Sequence, residues 1–441
     1  MSLTKTFLVF VILMVCGASA FAGGYQINEH GARAMGMGGA FVAQASDGSA
    51  IFFNPAGLAF QKGLKVMLGT TIILPSSTFK GSNKSTDMVS QTFTPIHAYI
   101  TYTFDNGLAI GVGVYNPYGL GTEWPNDWDG RQMSVKTDLT TWYINPTVAY
   151  RFSDQFSIGA GVSYVTGKVT LKQRVATFKQ LTPIPPSPVP PAGDKDGTVA
   201  LDGTGNSINW NIGLLYKPTP DLSIGASYRS LTKIDFSGTA AFTDMGGLGG
   251  YSVFPNFFPG GTGKTTLPCP SDLYVGVAYN ITKDLTVEAD FQYVGWKSFD
   301  QLKLDIPLGP TFPAAGITTP LQGPEVLPKN WDDAYLIRVG GEYRMEKLAL
   351  RAGLIYDKTP QPDASVEPML PDANRIEVTL GLGYEISKSV NVNATYQLIS
   401  FSDRNGTISY STAPKYYPVI PINGTYSNSA NLIGVTLGLN F

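Results

Sequence analysis

The chain has 441 residues, with 31 Lys plus Arg against 33 Asp plus Glu and a net charge of −2. Charged residues make up only 15%, aromatics reach 12%, and there are 49 glycines and 31 prolines. Balanced charge gives no case for nucleic acid as a partner, low charge with many aromatics excludes disorder, and this much Gly, Pro, Tyr and Phe argues against a helical bundle. A large all-β protein remains.

Residues 1–22 read as a secretory signal peptide. Lys5 supplies the positive end, Phe7 to Val15 is an unbroken apolar run, and Ala20-Phe21-Ala22 is a small-x-small cleavage pattern, so the mature chain is expected to start at Gly23. The run is too short to span a bilayer as an anchor, and Val15 is too bulky for a lipoprotein box ending at Cys16. Processing leaves Cys269 as the one cysteine, which excludes an intrachain disulfide.

Gly23 to Gln61 is rich in Gly, Ala and Met and shows no alternation. From Leu64 onward the pattern changes. Fourteen candidate strands begin near Leu64, Ile96, Leu108, Trp142, Phe156, Ile208, Leu222, Leu273, Leu285, Tyr335, Leu348, Ile376, Val390 and Ala430. Within them apolar and polar residues alternate, as in Val390, Val392, Ala394, Tyr396 and Leu398 against Asn391, Asn393, Thr395 and Gln397. No later segment is an apolar run of helical membrane-spanning length. Alternation alone fits a soluble sandwich as well as a membrane barrel. The links decide: short ones, such as Asp105-Asn106, Ser153-Asp154 and Ser387-Lys388, alternate with long ones, such as Asn116 to Met133, Phe242 to Lys264 and Ser402 to Thr425. That is an up-and-down transmembrane barrel with short periplasmic turns and long outer loops. Phe104, Tyr150, Tyr216, Tyr279, Tyr343 and Tyr384 precede the short turns in phase with the apolar face, where an interfacial girdle belongs. A barrel of this size encloses more space than side chains fill, so Gly23 to Gln61 is expected to be a plug, with 62–441 as the barrel.

The polar phase carries Arg151, Arg229, Glu288, Asp290, Arg338, Glu342, Arg351 and Glu377, which reads as an internal paired network that anchors the plug. The loop from Phe242 to Gly263 carries Leu248, Phe254, Phe257 and Phe258, apolar side chains suited to capturing a greasy ligand outside the cell. His30 and His97 have no motif around them, no phosphate loop or metal-ligand spacing occurs, and no enzyme activity or cofactor is expected. The sequons at Asn405 and Asn423 read as turns.

Gly24-Tyr25-Gln26-Ile27-Asn28-Glu29 followed by Phe53-Asn54-Pro55-Ala56-Gly57-Leu58 resembles the hatch of the outer-membrane long-chain fatty-acid transporter family, which includes aromatic-hydrocarbon uptake members. Tyr118 to Trp124, Trp331-Asp332-Asp333-Ala334-Tyr335, Arg351 to Pro360 and Pro371 to Arg375 extend the resemblance in order along the chain. It implies a fourteen-stranded barrel in the outer membrane, closed by a hatch. It also implies passive diffusion of a hydrophobic small molecule from outer loops to an internal pocket, then lateral release through a wall opening beside a kinked third strand. Here that opening would involve Gly111, Gly113, Asn116 and Pro117, and gating would involve Asn54, Pro55 and Ala56. Leu171 and Leu327 stand where the fatty-acid branch has basic residues, and Arg174 and Lys329 lie nearby as candidate polar contacts to ligand, which favours a neutral hydrocarbon over a carboxylate. The expected surroundings are outer-membrane lipid and lipopolysaccharide, and the expected state is a monomer. The alternative is a hatch-bearing barrel that serves a secretion machine as a shuttle or docking component.

Overall fold

The computed structural model describes residues 23–82, 84–175, 197–243, 260–306, 325–408 and 422–441. The signal segment 1–22 and the proposed capture residues Leu248, Phe254, Phe257 and Phe258 lie outside the described residues.

The chain is a closed fourteen-stranded antiparallel barrel. Its strands are β1 (Gly63–Gly81), β2 (Ile96–Thr103), β3 (Leu108–Tyr115, resuming at Gly119–Glu123), β4 (Lys136–Ser153), β5 (Phe156–Val175), β6 (Gly197–Thr219) and β7 (Leu222–Arg229 and Thr232–Thr243). They continue as β8 (Gly261–Cys269 and Asp272–Asn280), β9 (Leu285–Val294 and Gln301–Asp305), β10 (Glu325–Pro328 and Ala334–Met345), β11 (Leu348–Asp357), β12 (Arg375–Ser387), β13 (Val390–Phe401 and Arg404–Ile408) and β14 (Ile422–Asn440). Each strand pairs with the next, and β1 closes on β14 from Lys65↔Asn440 to Gly81↔Gly424. Closure satisfies the wall's backbone groups without water, which lipid demands.

Burial has the opposite sense to a soluble sandwich. On β13 Thr395 and Gln397 are buried while Tyr396 and Leu398 are exposed, and on β14 Thr436 is buried while Ile433, Val435 and Leu437 are exposed. The polar phase points inward and the apolar phase meets lipid. The six girdle aromatics Phe104, Tyr150, Tyr216, Tyr279, Tyr343 and Tyr384 are all exposed on the outer face.

The strands reach further outward than alternation indicated. β4 starts at Lys136 rather than Trp142, β6 at Gly197 rather than Ile208, and β14 at Ile422 rather than Ala430. These extensions rise beyond the lipid band, where alternation is no longer enforced. For the same reason both sequon asparagines sit in paired strand and not in turns: Asn405 faces Thr425, and Asn423 faces Thr407.

Residues 23–61 form no strand. They carry two short helices, α1 (Ala32–Gly36) and α2 (Ala50–Phe53), and a 3-10 turn over Pro55–Phe60. Nearly every residue here is buried, and the partners are inward-facing residues of the strands.

Candidate functional site

β3 is broken between Tyr115 and Gly119, and its two pieces differ in their partners. Leu108–Tyr115 pairs with both β2 and β4, but after the break Gly119–Glu123 pairs in register with β4 alone. Pro117 offers no N–H, so the ladder cannot continue through it. Asn116 spans the step: its Oδ1 accepts from the Ile96 N–H at 2.9 Å and its Nδ2 donates to the Thr141 carbonyl at 2.6 Å. The freed edge takes a strand-like partner from the N-terminal segment. The Ile27 N–H donates to the Pro117 carbonyl at 2.9 Å, the Gly119 N–H donates to the Tyr25 carbonyl at 3.0 Å, and Gln26 bridges Tyr118.

A cavity of about 450 Å³ adjoins this arm. Ile73, Phe93, Leu120, Leu139, Trp142 and Leu432 are among its apolar walls. Its polar end holds Glu29, Arg375 and Glu377. Gln397 Nε2 joins the two carboxylates, at 3.1 Å to Glu29 and 2.5 Å to Glu377. Burial raises the Glu29 carboxyl above the ordinary carboxylate value. Arg375 is held by Asp357 (3.8 Å), Asp372 (3.4 Å) and the Gly24 carbonyl (2.9 Å).

The arm is seated by aromatic and polar contacts. Tyr25 meets Trp296, Phe299, Trp331 and Tyr118 edge-on or tilted, with ring centroids 4.7–6.1 Å apart. Gln26 Nε2 donates to both Asp272 oxygens at 3.0 Å, and Gln292 Nε2 donates to Gln26 Oε1 at 3.0 Å. The Gly24 N–H reaches Asp372 Oδ2 at 3.1 Å, and the Gly23 backbone N–H bonds the Asp357 carboxylate.

Deeper in the segment, Asn54 is fully buried. Its Nδ2 donates to the Val42 carbonyl at 2.8 Å and to the Leu214 carbonyl of β6 at 2.9 Å, while its Oδ1 accepts from the Ala56 N–H at 3.2 Å. Pro55 opens the 3-10 turn, and the Ala56 carbonyl accepts from Ser157 Oγ at 2.9 Å. Asn54-Pro55-Ala56 therefore ties the segment to itself and to β5 and β6. Two carboxylates of β9 cap its backbone: Asp290 Oδ2 accepts from the Phe41 and Val42 N–H groups at 2.8 and 3.0 Å, and Glu288 accepts from Ala43 and Gln44 at 2.6 and 3.2 Å. Arg229 reaches the Phe52 carbonyl at 3.0 Å, and Arg33 pairs with Glu342 at 2.9 Å. The inward charges thus serve the segment more than one another; among the eight expected from the sequence, Glu342 and Arg351 form an ion pair between adjacent strands.

Gly111 and Gly113 face inward, and a methyl group on either would press on Ile51 of α2, at 3.2 and 2.9 Å. Arg174 sits at the outer end of β5 with Nη1 on Thr198 Oγ1 at 2.5 Å. Lys329 is not a solvated charge: it is buried and ion-paired with Glu367. Leu171 and Leu327 pack on the same interior apolar cluster. Sequence reasoning missed Asp272, Gln292, Asp357 and Arg375 as partners of the arm. Asp357 ends β11, Arg375 opens β12, and Asp272 and Gln292 lie near the breaks in β8 and β9, so only the fold brings them to residues 23–26. No His, Cys, Asp and Glu grouping suited to a metal occurs among the described residues.

Residues 13–441 match the family model described as outer membrane protein transport protein (OMPP1/FadL/TodX). The long-chain fatty acid transport protein of Escherichia coli strain K12 is 25% identical over 427 residues, covering 89% of this chain and 91% of its own. Outer membrane protein P1 of Haemophilus influenzae is 24% identical over 430 residues, covering 88% of each chain. Among solved structures, a Pseudomonas aeruginosa FadL homologue superposes with a TM-score of 0.78 at 18% identity over 96% of this chain and 100% of that one. The Pseudomonas putida toluene transporter TodX gives 0.70 at 18% identity, again over 96% and 100%.

Proposed function

Because this chain belongs to the outer membrane protein transport family (OMPP1/FadL/TodX), whose members carry fatty acids and other hydrophobic compounds across the outer membrane, we propose that it takes up hydrophobic small molecules passively and releases them sideways through its wall. Residues 23–61 are the hatch. Its arm, Tyr25 to Ile27, is the shutter over the gap at Asn116–Tyr118. The observation that carries this reading is the arm's pairing with the broken edge of β3, beside an apolar cavity. Two backbone hydrogen bonds of about 1 kcal/mol each join the arm to the β3 edge, and the ring contacts of Tyr25 and the hydrogen bonds of Gln26 seat its side chains, so a ligand that opens the gap must displace both. Removal of residues 1–22 would give Gly23 an α-ammonium group, and this charge meets the buried Asp357 carboxylate, which latches the arm until ligand displaces it.

The test is a reversible lock. In a Cys269→Ser background, cysteines at Gln26 and Tyr118 occupy facing positions of an antiparallel bridge, within disulfide reach. Oxidation should stop uptake of hydrophobic ligand and reduction should restore it. Undiminished uptake by the oxidised protein would remove the arm from the route.

The ligand we propose is neutral. Leu171 and Leu327 are apolar, Lys329 is committed to Glu367, and the cavity's polar end carries two carboxyls beside one shared arginine. Burying an unpaired carboxylate here would cost several kcal/mol. Isothermal titration should therefore find tighter binding of an alkylbenzene than of oleate, and the reverse order would refute this choice.

A further inference from the structure

A second cavity, of about 320 Å³, lies at the other end of the lumen, between the hatch and the wall near the short turns. That end faces the periplasm in a barrel of this kind. Arg33, Ser46 and Asp47 of the hatch line it, together with Lys65, Arg344 and Arg351 of the wall. Three arginines share one carboxylate: Glu342 accepts from Arg33 Nε at 2.9 Å, Arg344 Nε at 2.7 Å and Arg351 Nε at 2.6 Å. Arg33 is further held by Ser46 Oγ at 2.9 Å and lies 3.9 Å from Asp47.

Arg351 and Lys65 keep donors that nothing among the described residues uses. Arg351 is only 7% exposed, and its Nη1 has no hydrogen-bond partner. Gly383 makes room for that head: a methyl group there would stand 2.7 Å from both Nη1 and Nη2. The Lys65 ammonium makes no hydrogen bond or close ion pair among the described residues, and the residue lines the same space. Asn391 and Asn393 add amide groups to the lining. Around the head of the cavity four basic side chains thus face two acidic ones, Asp47 and Glu342. Of the remaining charges, Glu346 and Lys347 stand on the turn after β10 and Glu385 near the end of β12.

A half-enclosed pocket with surplus guanidinium and ammonium groups repels cations. It suits an oxyanion that accepts several charge-assisted hydrogen bonds at once. The space exceeds a bare phosphate, and the girdle residue Tyr384 at its rim places it at headgroup level. We propose that this cavity binds a phosphate group, as the headgroup of an inner-leaflet phospholipid or as free phosphate, through Arg351 and Lys65, and that the bound group clamps the hatch to the wall. This site is separate from the lateral gap and does not rest on the uptake reading.

The experiment follows thermal loss of the heat-modifiable barrel band for the full chain in neutral detergent at constant ionic strength. One arm titrates inorganic phosphate. The other titrates dihexanoyl-phosphatidylglycerol below its micelle concentration, with dihexanoylglycerol as the phosphate-free control. A ligand of the folded state raises the midpoint saturably. Saturation in both arms supports the proposal with phosphate itself as the ligand; saturation with the phospholipid alone supports it with the headgroup as the ligand. Lys65→Met should shift half-saturation upward by roughly tenfold, and Arg351→Met by more. Lys65 is half-buried on the wall, so its variant serves even if Arg351→Met fails to fold. Absence of a saturable rise in either arm, or half-saturation unchanged by Lys65→Met, would overturn the proposal.

Discussion

Replacing Glu288 and Asp290 together by alanine should open the lumen to ions while the barrel stays folded. The two carboxylates accept from four successive backbone N–H groups, Phe41 to Gln44, all inside the protein. A buried N–H left without an acceptor costs about 1–3 kcal/mol, so the double change removes on the order of 4–12 kcal/mol from the seating of the hatch. No side chain nearby can replace these acceptors at four consecutive amides. The strand ladders on either side, Glu288↔Ala278 and Asp290↔Gly276 on β8 and Glu288↔Gly340 and Asp290↔Arg338 on β10, use backbone groups and survive the change. The expected result is a single-channel conductance several times that of the parent in planar bilayers, with normal heat-modifiable gel mobility. A closed baseline in the folded double variant would show that the hatch is held elsewhere.

Gly225→Val should unseat the hatch by a different route. A Cβ at Gly225 would stand 2.2 Å from the Val42 carbonyl oxygen and 2.9 Å from the Ala43 Cα, both backbone atoms of the hatch. Backbone atoms cannot rotate aside as a side chain can, so the hatch must shift as a body. Gly340 makes the same close approach, with the Met37 carbonyl oxygen at 2.1 Å, and Gly340→Val should behave alike. Overpacking of this kind costs about 1–3 kcal/mol. That cost falls on the hatch contacts, since the β7 ladder to β6 and β8 involves main chain only. Gly341, one residue on, faces away, and its Cβ would meet nothing closer than 3.7 Å. Raised conductance in Gly225→Val and Gly340→Val with Gly341→Ala unchanged is the expected pattern. Equal behaviour of all three would refute the close approach as the cause.

The barrel was legible because a membrane wall imposes a rule on every residue of a strand. Each side chain faces lipid or lumen, so Tyr396 and Leu398 alternate with Thr395 and Gln397 as a direct record of the two environments. Turn lengths recorded the two sides of the membrane in the same way, whereas the break in β3 at Asn116-Pro117 was expected only from the family resemblance. Where the lipid rule ends, legibility ended with it: the outer extensions of β4, β6 and β14 and the strand character of Asn405 and Asn423 left no alternation to read.

The sequence by itself determined the compartment, the strand number and the existence of an unstranded segment that the lumen could hold. Only the tertiary structure decided how that segment is held. Its backbone is capped by Glu288 and Asp290, some 245 residues further along the chain. Its arm meets Asp272, Asp357 and Arg375, and its one strand-like contact is with the broken edge at Pro117 to Gly119. The physical reason is that a plug satisfies its polar groups one by one against whatever side chains barrel closure brings opposite. Such pairings have no period and no fixed spacing, so they exist only once β1 has met β14.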